Sequence, residues 1–206
     1  VSLYSLLLAS YYLMLRAYTE QNDIVIGTPV ANRHSTQIQP LIGFFVNTLA
    51  LRVNIDPASK IIDFIKNVGH DIIEAQLYQD LPFERLVDEL KIPKDISRHP
   101  IFQIMFGVQR FGTREVNKKN RAERYILEPY ESRDEIHSAV RFDIETFIDD
   151  SGEIFKGSFS YRENLYKEET IRSFVDTYLV ILKQIKGVLQ NPELTIRELT
   201  YLAPKQ

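Results

Sequence analysis

The sequence predicts an α+β fold, an α/β sandwich in which helices flank a mixed sheet. Three observations lead to this fold class. Apolar residues recur at helical spacing in long segments, short β-branched runs stand between these segments, and one pair of alternating runs is separated by a turn. The chain has 206 residues, 44% of them hydrophobic and 26% charged, which suits a globular domain with a sizeable core.

The chain begins with a helix and a strand. Leucines and tyrosines recur at helical spacing over about Ser2–Thr19, and because this segment is apolar nearly all round we expect it to be buried on most sides. Residues 24–26 are β-branched and predict a buried strand. Gly27 and Pro29 are expected to stop that strand.

A second strand and two helices follow. Residues 44–53 predict a strand that is broken around positions 47–48. The clearest amphipathic helix comes next, with Ser59 as its N-cap and its end near Asp80. Residues 83–90 predict a shorter helix.

The second half of the chain predicts a strand, a hairpin and a last helix. A buried strand is expected over 101–108, and the basic stretch 110–124, with six basic and two acidic residues, predicts an exposed, mobile loop. Alternating residues over 140–145 predict a half-buried strand that pairs with 155–161 in an antiparallel hairpin. An amphipathic helix is expected over 167–189.

Composition excludes several classes of protein. The formal net charge of −3 is too balanced for a nucleic-acid binder that relies on phosphate neutralisation. The absence of cysteine excludes disulfide frameworks and cysteine-ligated metals, and together with the lack of a signal peptide it favours the cytoplasm. The uncharged run Val1–Leu15 is too short to span a bilayer. Because the chain opens inside this apolar run, we expect a fragment of a longer polypeptide.

No catalytic or metal motif is visible in the residues themselves. The sequence has no phosphate-binding glycine loop, no G-x-S-x-G elbow and no H-E-x-x-H motif. The four histidines stand alone, and we expect each to be a surface or loop residue rather than a catalyst. Asp80 and Glu84 could form an acid pair, but Glu84 is better explained as a first-turn residue favoured by the helix dipole.

Four blocks nevertheless occur in an order that resembles a known family. They are IGTPVANR at 26–33, IGFFVNTLALR at 42–52, YQDLPFE at 78–84 and SRHPIFQ at 97–103. Together they resemble the later motifs of nonribosomal peptide synthetase condensation domains. The tail IRELTYL at 196–202 is similar to the end of such a domain, before the linker to an adenylation domain.

The resemblance implies one half of a two-lobe domain. Condensation domains have two lobes similar to chloramphenicol acetyltransferase, with a tunnel between them. Their catalytic motif HHxxxDG belongs to the first lobe, and this sequence contains no two adjacent histidines. The chain therefore resembles the second, acceptor-side lobe over 1–200, followed by the start of a linker over 201–206, and we expect it to be inactive alone.

The family's chemistry implies the partners. An acceptor amine attacks a donor thioester to form an amide, and both substrates arrive on phosphopantetheine arms of carrier proteins. The resemblance implies that the chain itself binds no cofactor or metal, and that its partners are the first lobe, peptidyl carrier proteins and a downstream adenylation domain. It also implies a large apolar face toward the first lobe, with weak self-association or poor solubility when that lobe is absent.

The resemblance also assigns roles to individual residues. Arg33 is similar to the arginine that pairs with the aspartate of HHxxxDG, so it would support the active site without being catalytic. The stretch 23–37 corresponds to the tunnel floor. Expected tunnel residues are Gly27, Thr28, Pro29, Asn32, Asn47 and Thr48. Expected structural residues are Gln79, Asp80, Pro82, Phe83, Arg98 and Pro100.

Several alternatives stay open at this point. The amide of Asn47 either satisfies freed backbone groups, which we favour, or contacts the substrate. The loop 110–124 falls where the family has a latch that crosses to the first lobe, and its charge would suit an acidic carrier protein, although it could equally be a solvated loop. The whole chain could instead come from an epimerisation or heterocyclisation domain, or be a non-catalytic docking module.

Overall fold

The computed structural model describes residues 1–33, 35–93, 95, 97–109, 140–188 and 191–201. In this part of the chain the strands are β1 (Asp23–Val30), β2 (Asn47–Asn54), β3 (Ile104–Gln109), β4 (Ile144–Asp149) and β5 (Lys156–Tyr161). The helices are α1 (Leu3–Thr19), α2 (Ile61–Leu77), α3 (Phe83–Glu89) and α4 (Glu168–Val188), and a short 3-10 helix spans Ile196–Glu198. The expected α+β class is confirmed.

The strands form one mixed sheet in the order β2-β1-β3-β4-β5. β1 pairs with β2 in antiparallel fashion over its whole length and meets β3 in parallel at Gly27, opposite Met105. β3 and β4 are parallel, and β4 and β5 form the predicted antiparallel hairpin. The parallel pairs lie at the centre of the sheet and the antiparallel pairs at its two edges.

The expected strand limits near positions 27 and 47 are wrong. β1 runs through Gly27 and Pro29, because its antiparallel partner β2 continues past both positions and places Thr48 opposite Pro29. β2 does not break at residue 47 but begins there, and Phe44–Val46 lie outside it. A strong partner strand thus outweighs the local signals of glycine and proline.

Four other expected limits also differ from those in the structure. Ser59 does not cap α2, since Lys60 occupies the N-cap without a side-chain bond, and Lys60 is held extended by a bridge to Thr195. β3 begins at Ile104 rather than at 101, and β4 spans 144–149 rather than 140–145. The predictions for α1, α3 and α4 hold to within about two residues, whereas α2 ends at Leu77, three residues before Asp80.

The main core lies on the face of the sheet that α1, α2 and α4 cover. α1 is buried over most of its surface, as predicted, and its tyrosines Tyr11 and Tyr12 are fully buried with their hydroxyl groups paired. Tyr12 donates to the Leu51 carbonyl at 2.7 Å, and Tyr178 of α4 donates to the Leu7 carbonyl at 3.1 Å. Paired hydroxyls let large aromatic side chains fill the core without leaving a polar atom unsatisfied.

Two sequence predictions concern residues outside the described part of the chain. These are the exposed loop at 110–124 and the linker at 201–206, of which only Tyr201 is described. Tyr201 is half-buried, and its carbonyl accepts a hydrogen bond from the Thr177 hydroxyl at 3.3 Å. Both predictions stay predictions.

Candidate functional site

The chain leaves β1 through an unusual backbone conformation. Asn32 has a φ of 50°, in the left-handed region that asparagine tolerates better than most residues. This turn sends the next residue, Arg33, back toward the segment that follows it. The side-chain oxygen of Asn32 is buried and has no hydrogen-bond partner among the described residues.

Arg33 binds the backbone of its own loop. Its Nη1 donates to the carbonyl oxygens of Ile38 at 2.7 Å, Gln39 at 3.1 Å and Leu41 at 2.7 Å. Its Nη2 reaches the Gly43 carbonyl at 3.4 Å. The guanidinium carbon also lies 4.2 Å from the centre of the Phe45 ring, a cation–π arrangement.

The expected role of Arg33 involves a carboxylate of another lobe, and that pairing stays a prediction. In the described part of this chain the guanidinium donates to carbonyl oxygens of the following loop. No hydrogen bond in that part of the chain uses Nε. The Nε and Nη2 hydrogens of a guanidinium together form an edge that can bind a carboxylate in bidentate fashion.

Asn47 joins the start of β2 to the turn between α2 and α3. Its Nδ2 donates to the carbonyl oxygens of Gln79 and Leu81, both at 2.7 Å. Its Oδ1 accepts from the backbone N–H of Thr48 at 2.8 Å and of Phe83 at 3.3 Å. The amide therefore satisfies four backbone groups, as the favoured interpretation of this residue predicts.

The second face of the sheet carries a small aromatic cluster. Phe83 at the start of α3 stacks on His99, with ring centres 5.2 Å apart, and His99 also contacts Phe102 and Phe142 at 4.6 Å. The Phe102 carbonyl lies 3.1 Å from Nδ1 of His99 and can only accept, so Nδ1 carries the proton. Burial among these rings lowers the pKa of His99, although backbone hydrogen bonds act in the opposite direction.

The expected tunnel residues of β1 point to different sides of the sheet. Thr28 is buried beneath α1, where its hydroxyl pairs with that of Tyr4, and burial raises the pKa of Tyr4 to about 12. A cavity of about 130 Å³ lies beside Thr28 and Pro29. Gly27 faces the aromatic cluster, and a side chain there would overlap the Phe102 ring, which explains the glycine.

The expected structural residues form the turn after α2 and the segment before β3. Gln79 and Asp80 are in that turn, and Pro82 is the N-cap of α3. Arg98 is exposed, and its backbone N–H donates to the Asp95 carbonyl at 3.4 Å. Pro100 is half-buried.

Large apolar side chains gather on the surface beside Arg33. We call this surface the apolar edge, and its residues are Leu41, Ile42, Phe44, Val46, Leu77, Tyr78 and Leu81. Ile42 and Phe44 are 104% and 91% exposed. The Asn47 hydrogen bonds to the Gln79 and Leu81 carbonyls join the two segments that contribute to the apolar edge, residues 41–46 and 77–81.

Sequence reasoning missed three features of this region. The stacking of Phe45 on Arg33 and the ring contacts of His99 depend on residues that a local pattern does not connect, and the Tyr4–Thr28 pair joins α1 to β1. His99 is a loop residue, as expected, but it is half-buried. The carboxylates near His70 could have drawn attention, since His70, Asp71 and Glu74 bring ligand atoms within 4.8 Å of one another on α2.

The comparisons with known proteins identify the family. The model of the Condensation domain family matches residues 1–206. The chain belongs to the condensation domain family. It is 36% identical over 203 residues to N-(5-amino-5-carboxypentanoyl)-L-cysteinyl-D-valine synthase of Amycolatopsis lactamdurans, a match that covers 98% of this chain and 5% of that synthase. It is 34% identical over 206 residues to gramicidin S synthase 2 of Brevibacillus brevis, covering 100% of this chain and 4% of that synthase.

Solved structures share the fold of this condensation-family chain. A four-domain nonribosomal peptide synthetase bound to AMP and glycine superposes with a TM-score of 0.81 at 22% identity, covering 98% of this chain and 16% of that one. The X-domain from teicoplanin biosynthesis superposes at 0.77 with 23% identity, over 98% and 44% of the two chains. No described helix is long and apolar enough to cross a membrane.

Proposed function

We propose that this chain is the acceptor-side lobe of a condensation domain in nonribosomal peptide synthesis, working in the cytoplasm. The observation that carries the proposal is the apolar edge, whose seven large exposed side chains come from two segments that Asn47 joins by hydrogen bonds. Exposure on this scale favours a permanent partner surface. The chain spans less than half of each solved structure described above, which leaves room for a first lobe as that partner.

The proposed reaction joins the acyl groups of two thioesters through a new amide bond. The amine of the acceptor aminoacyl group attacks the carbonyl carbon of the donor thioester, the new C–N bond forms, the C–S bond breaks and the donor phosphopantetheine leaves as a thiol. The amine proton reaches the departing sulfur, either directly or by way of the second histidine of HHxxxDG in the first lobe, which takes it up and then donates it. The chain itself needs no cofactor for this step.

The proposed role of this lobe is to shape the tunnel. A tunnel accelerates the reaction chiefly by holding the amine and the carbonyl at attack distance. The stretch 23–37 would supply the floor of the tunnel, and Asn32 and Asn47 are among the residues that would line it. A carboxylate from HHxxxDG would bind the Nε edge of Arg33, which would support the active site without contact to the substrate.

Reconstitution tests the proposal. The chain is mixed with a first lobe that carries HHxxxDG and with two loaded carrier proteins, and the dipeptidyl thioester is sought by intact-mass spectrometry. We expect product only when both lobes are present, and an Arg33→Ala chain should lose most of it. The matched control is Arg172→Ala, because Arg172 pairs with Glu168 on the exposed side of α4.

The other outcomes each contradict the proposal. Product from this chain alone would show that the first-lobe histidine is not needed. Equal product from the first lobe alone would show that this chain contributes nothing. Measured association of the lobes without product would favour a non-catalytic docking module.

A further inference from the structure

Four carbonyl oxygens of one loop converge on a single guanidinium group. The loop spans residues 35–43, and its carbonyls at Ile38, Gln39 and Leu41 share the two hydrogens of Nη1 of Arg33, while Gly43 accepts from Nη2. Such carbonyl dipoles repel one another unless a cation lies between them. Hydrogen bonds from a charged donor are stronger than those between neutral groups.

The loop carries little other internal support. Its backbone makes three hydrogen bonds within the described part of the loop. The Ile38 N–H donates to the Ser35 carbonyl at 3.1 Å, the Leu41 N–H to the Ile38 carbonyl at 3.2 Å, and the Gln37 N–H to the Ser35 hydroxyl oxygen at 3.3 Å. Most of its residues are exposed, so burial adds little stability. Arg33 therefore supplies the main contacts that define the shape of this loop.

We infer that Arg33 is a positioning residue that clamps the loop 35–43 through its Nη1 edge and thereby fixes the direction of the apolar edge. The carbonyls of Leu41 and Gly43 are both bound to the guanidinium, so the backbone on either side of Ile42 is held. Ile42 and the nearby Phe44 are the most exposed members of the apolar edge. The clamp would thus hold Ile42 and Phe44 toward the lobe that carries HHxxxDG. This part of the inference rests on the proposed function.

The clamp and the expected carboxylate pair use different edges of the same group. The loop occupies Nη1 and one contact of Nη2, whereas a carboxylate would use Nε together with Nη2. A lysine cannot do both, since its ammonium is a point donor on a flexible stem. The single side chain of Arg33 would therefore both fix the shape of the loop and bind the carboxylate of the other lobe.

Hydrogen exchange of the loop amides tests the clamp without any partner. The Ile38 and Leu41 amides are compared in the unaltered chain and in Arg33→Ala, Arg33→Lys and Arg172→Ala variants. We expect Arg33→Ala to speed their exchange by about tenfold, Arg33→Lys to have an intermediate effect, and Arg172→Ala to have none. Exchange in α1 should stay unchanged, which shows that the fold is intact.

A milder variant keeps the test decisive if Arg33→Ala fails to fold. Phe45→Leu removes the ring under the guanidinium but leaves the carbonyl contacts, and it should speed exchange of the same two amides by about threefold. Unchanged exchange of the Ile38 and Leu41 amides in Arg33→Ala, or an equal increase in Arg172→Ala, would overturn the clamp.

A second measurement separates positioning from general stability. Because the loop is exposed, Arg33→Ala should weaken association with the HHxxxDG lobe about tenfold while its Tm stays within about 2 °C of the unaltered chain. A large fall in Tm would mean that Arg33 is merely structural and would overturn the positioning role. If the exchange result holds but no association with that lobe is measured for the unaltered chain, the clamp stands and the proposed function fails.

Discussion

The two faces of the sheet differ in how fully other residues of this chain cover them. On the helix-covered face, Tyr11, Tyr12 and Tyr178 are buried and their hydroxyls find partners in the same chain. On the other face, the aromatic cluster is small, and the neighbouring apolar edge is open to solvent. One face therefore stabilises the fold, whereas the apolar edge is the surface that the proposed function assigns to a partner.

The difference also shows in how polar atoms are used. Beneath the helices, the Tyr11 hydroxyl pairs with that of Thr146, and the Tyr12 hydroxyl donates to the Leu51 carbonyl. Beside the apolar edge, Arg33 and Asn47 each bind several backbone groups and hold loops that lack regular structure. Side chains there replace the ladder hydrogen bonds that a longer strand or helix would have made.

A pair of phenylalanines gives the largest test of this comparison. Phe106 is fully buried under α1, and Phe44 is 91% exposed. We expect Phe106→Ala to lower the free energy of unfolding by about 3–5 kcal/mol and Phe44→Ala to change it by less than about 0.5 kcal/mol. Urea denaturation of the two variants checks this, and similar losses at both sites would show that the edge is part of the folded core.

The amide of Asn47 is expected to have the next largest effect. Asn47→Ala removes hydrogen bonds to four backbone groups and should cost about 2 kcal/mol in unfolding free energy. Asn67→Ala on the exposed surface of α2 is the matched control and should change stability by less than about 0.5 kcal/mol. Chemical denaturation followed by circular dichroism measures both, and equal effects would contradict the role assigned to Asn47.

Removing one buried hydroxyl should have a smaller effect. Tyr12→Phe leaves the Leu51 carbonyl without its donor and should cost about 1–1.5 kcal/mol. Tyr78→Phe, on the apolar edge, loses a hydroxyl from a side chain that is 73% exposed and should be nearly neutral. Thermal unfolding compares the two, and a larger loss for Tyr78→Phe would reverse the comparison between the two faces.

The aromatic cluster predicts the smallest effect, a dependence of stability on pH. Because burial holds the pKa of His99 below its ordinary value of 6.5, the unfolded chain takes up the proton first as the pH falls. The contribution of His99 is therefore complete above about pH 6.5, decreases below it and levels off under the folded-state pKa. Denaturation from about pH 7.5 to about pH 5 should show a flatter profile for His99→Gln, and an unchanged profile would contradict this assignment.

Local sequence patterns predicted the elements better than their limits. The spacing of apolar residues located α1, α2 and α4, because each helix buries a face with its own periodicity. Gly27 and Pro29 were expected to end β1, but pairing with β2 carries the strand past both of them. Strand limits depend on partners that are distant in sequence, which a local pattern does not report.

The candidate site was predicted in part. The family resemblance drew attention to Arg33 and Asn47, and the expected use of the Asn47 amide for backbone groups agrees with its hydrogen bonds. The carbonyls that Arg33 binds were not foreseen, since they require the turn at Asn32 to direct the chain back on itself. The ring contacts of His99 likewise depend on the meeting of α3 with the segment before β3.

The central claim is that the apolar edge is covered by a lobe that carries HHxxxDG. Hydrogen exchange of this chain, with and without that lobe, tests it most directly. The account predicts slower exchange at residues 38–47 and 77–83 on association, and no change along the exposed side of α4. Protection along α4 with none at the apolar edge would contradict the claim.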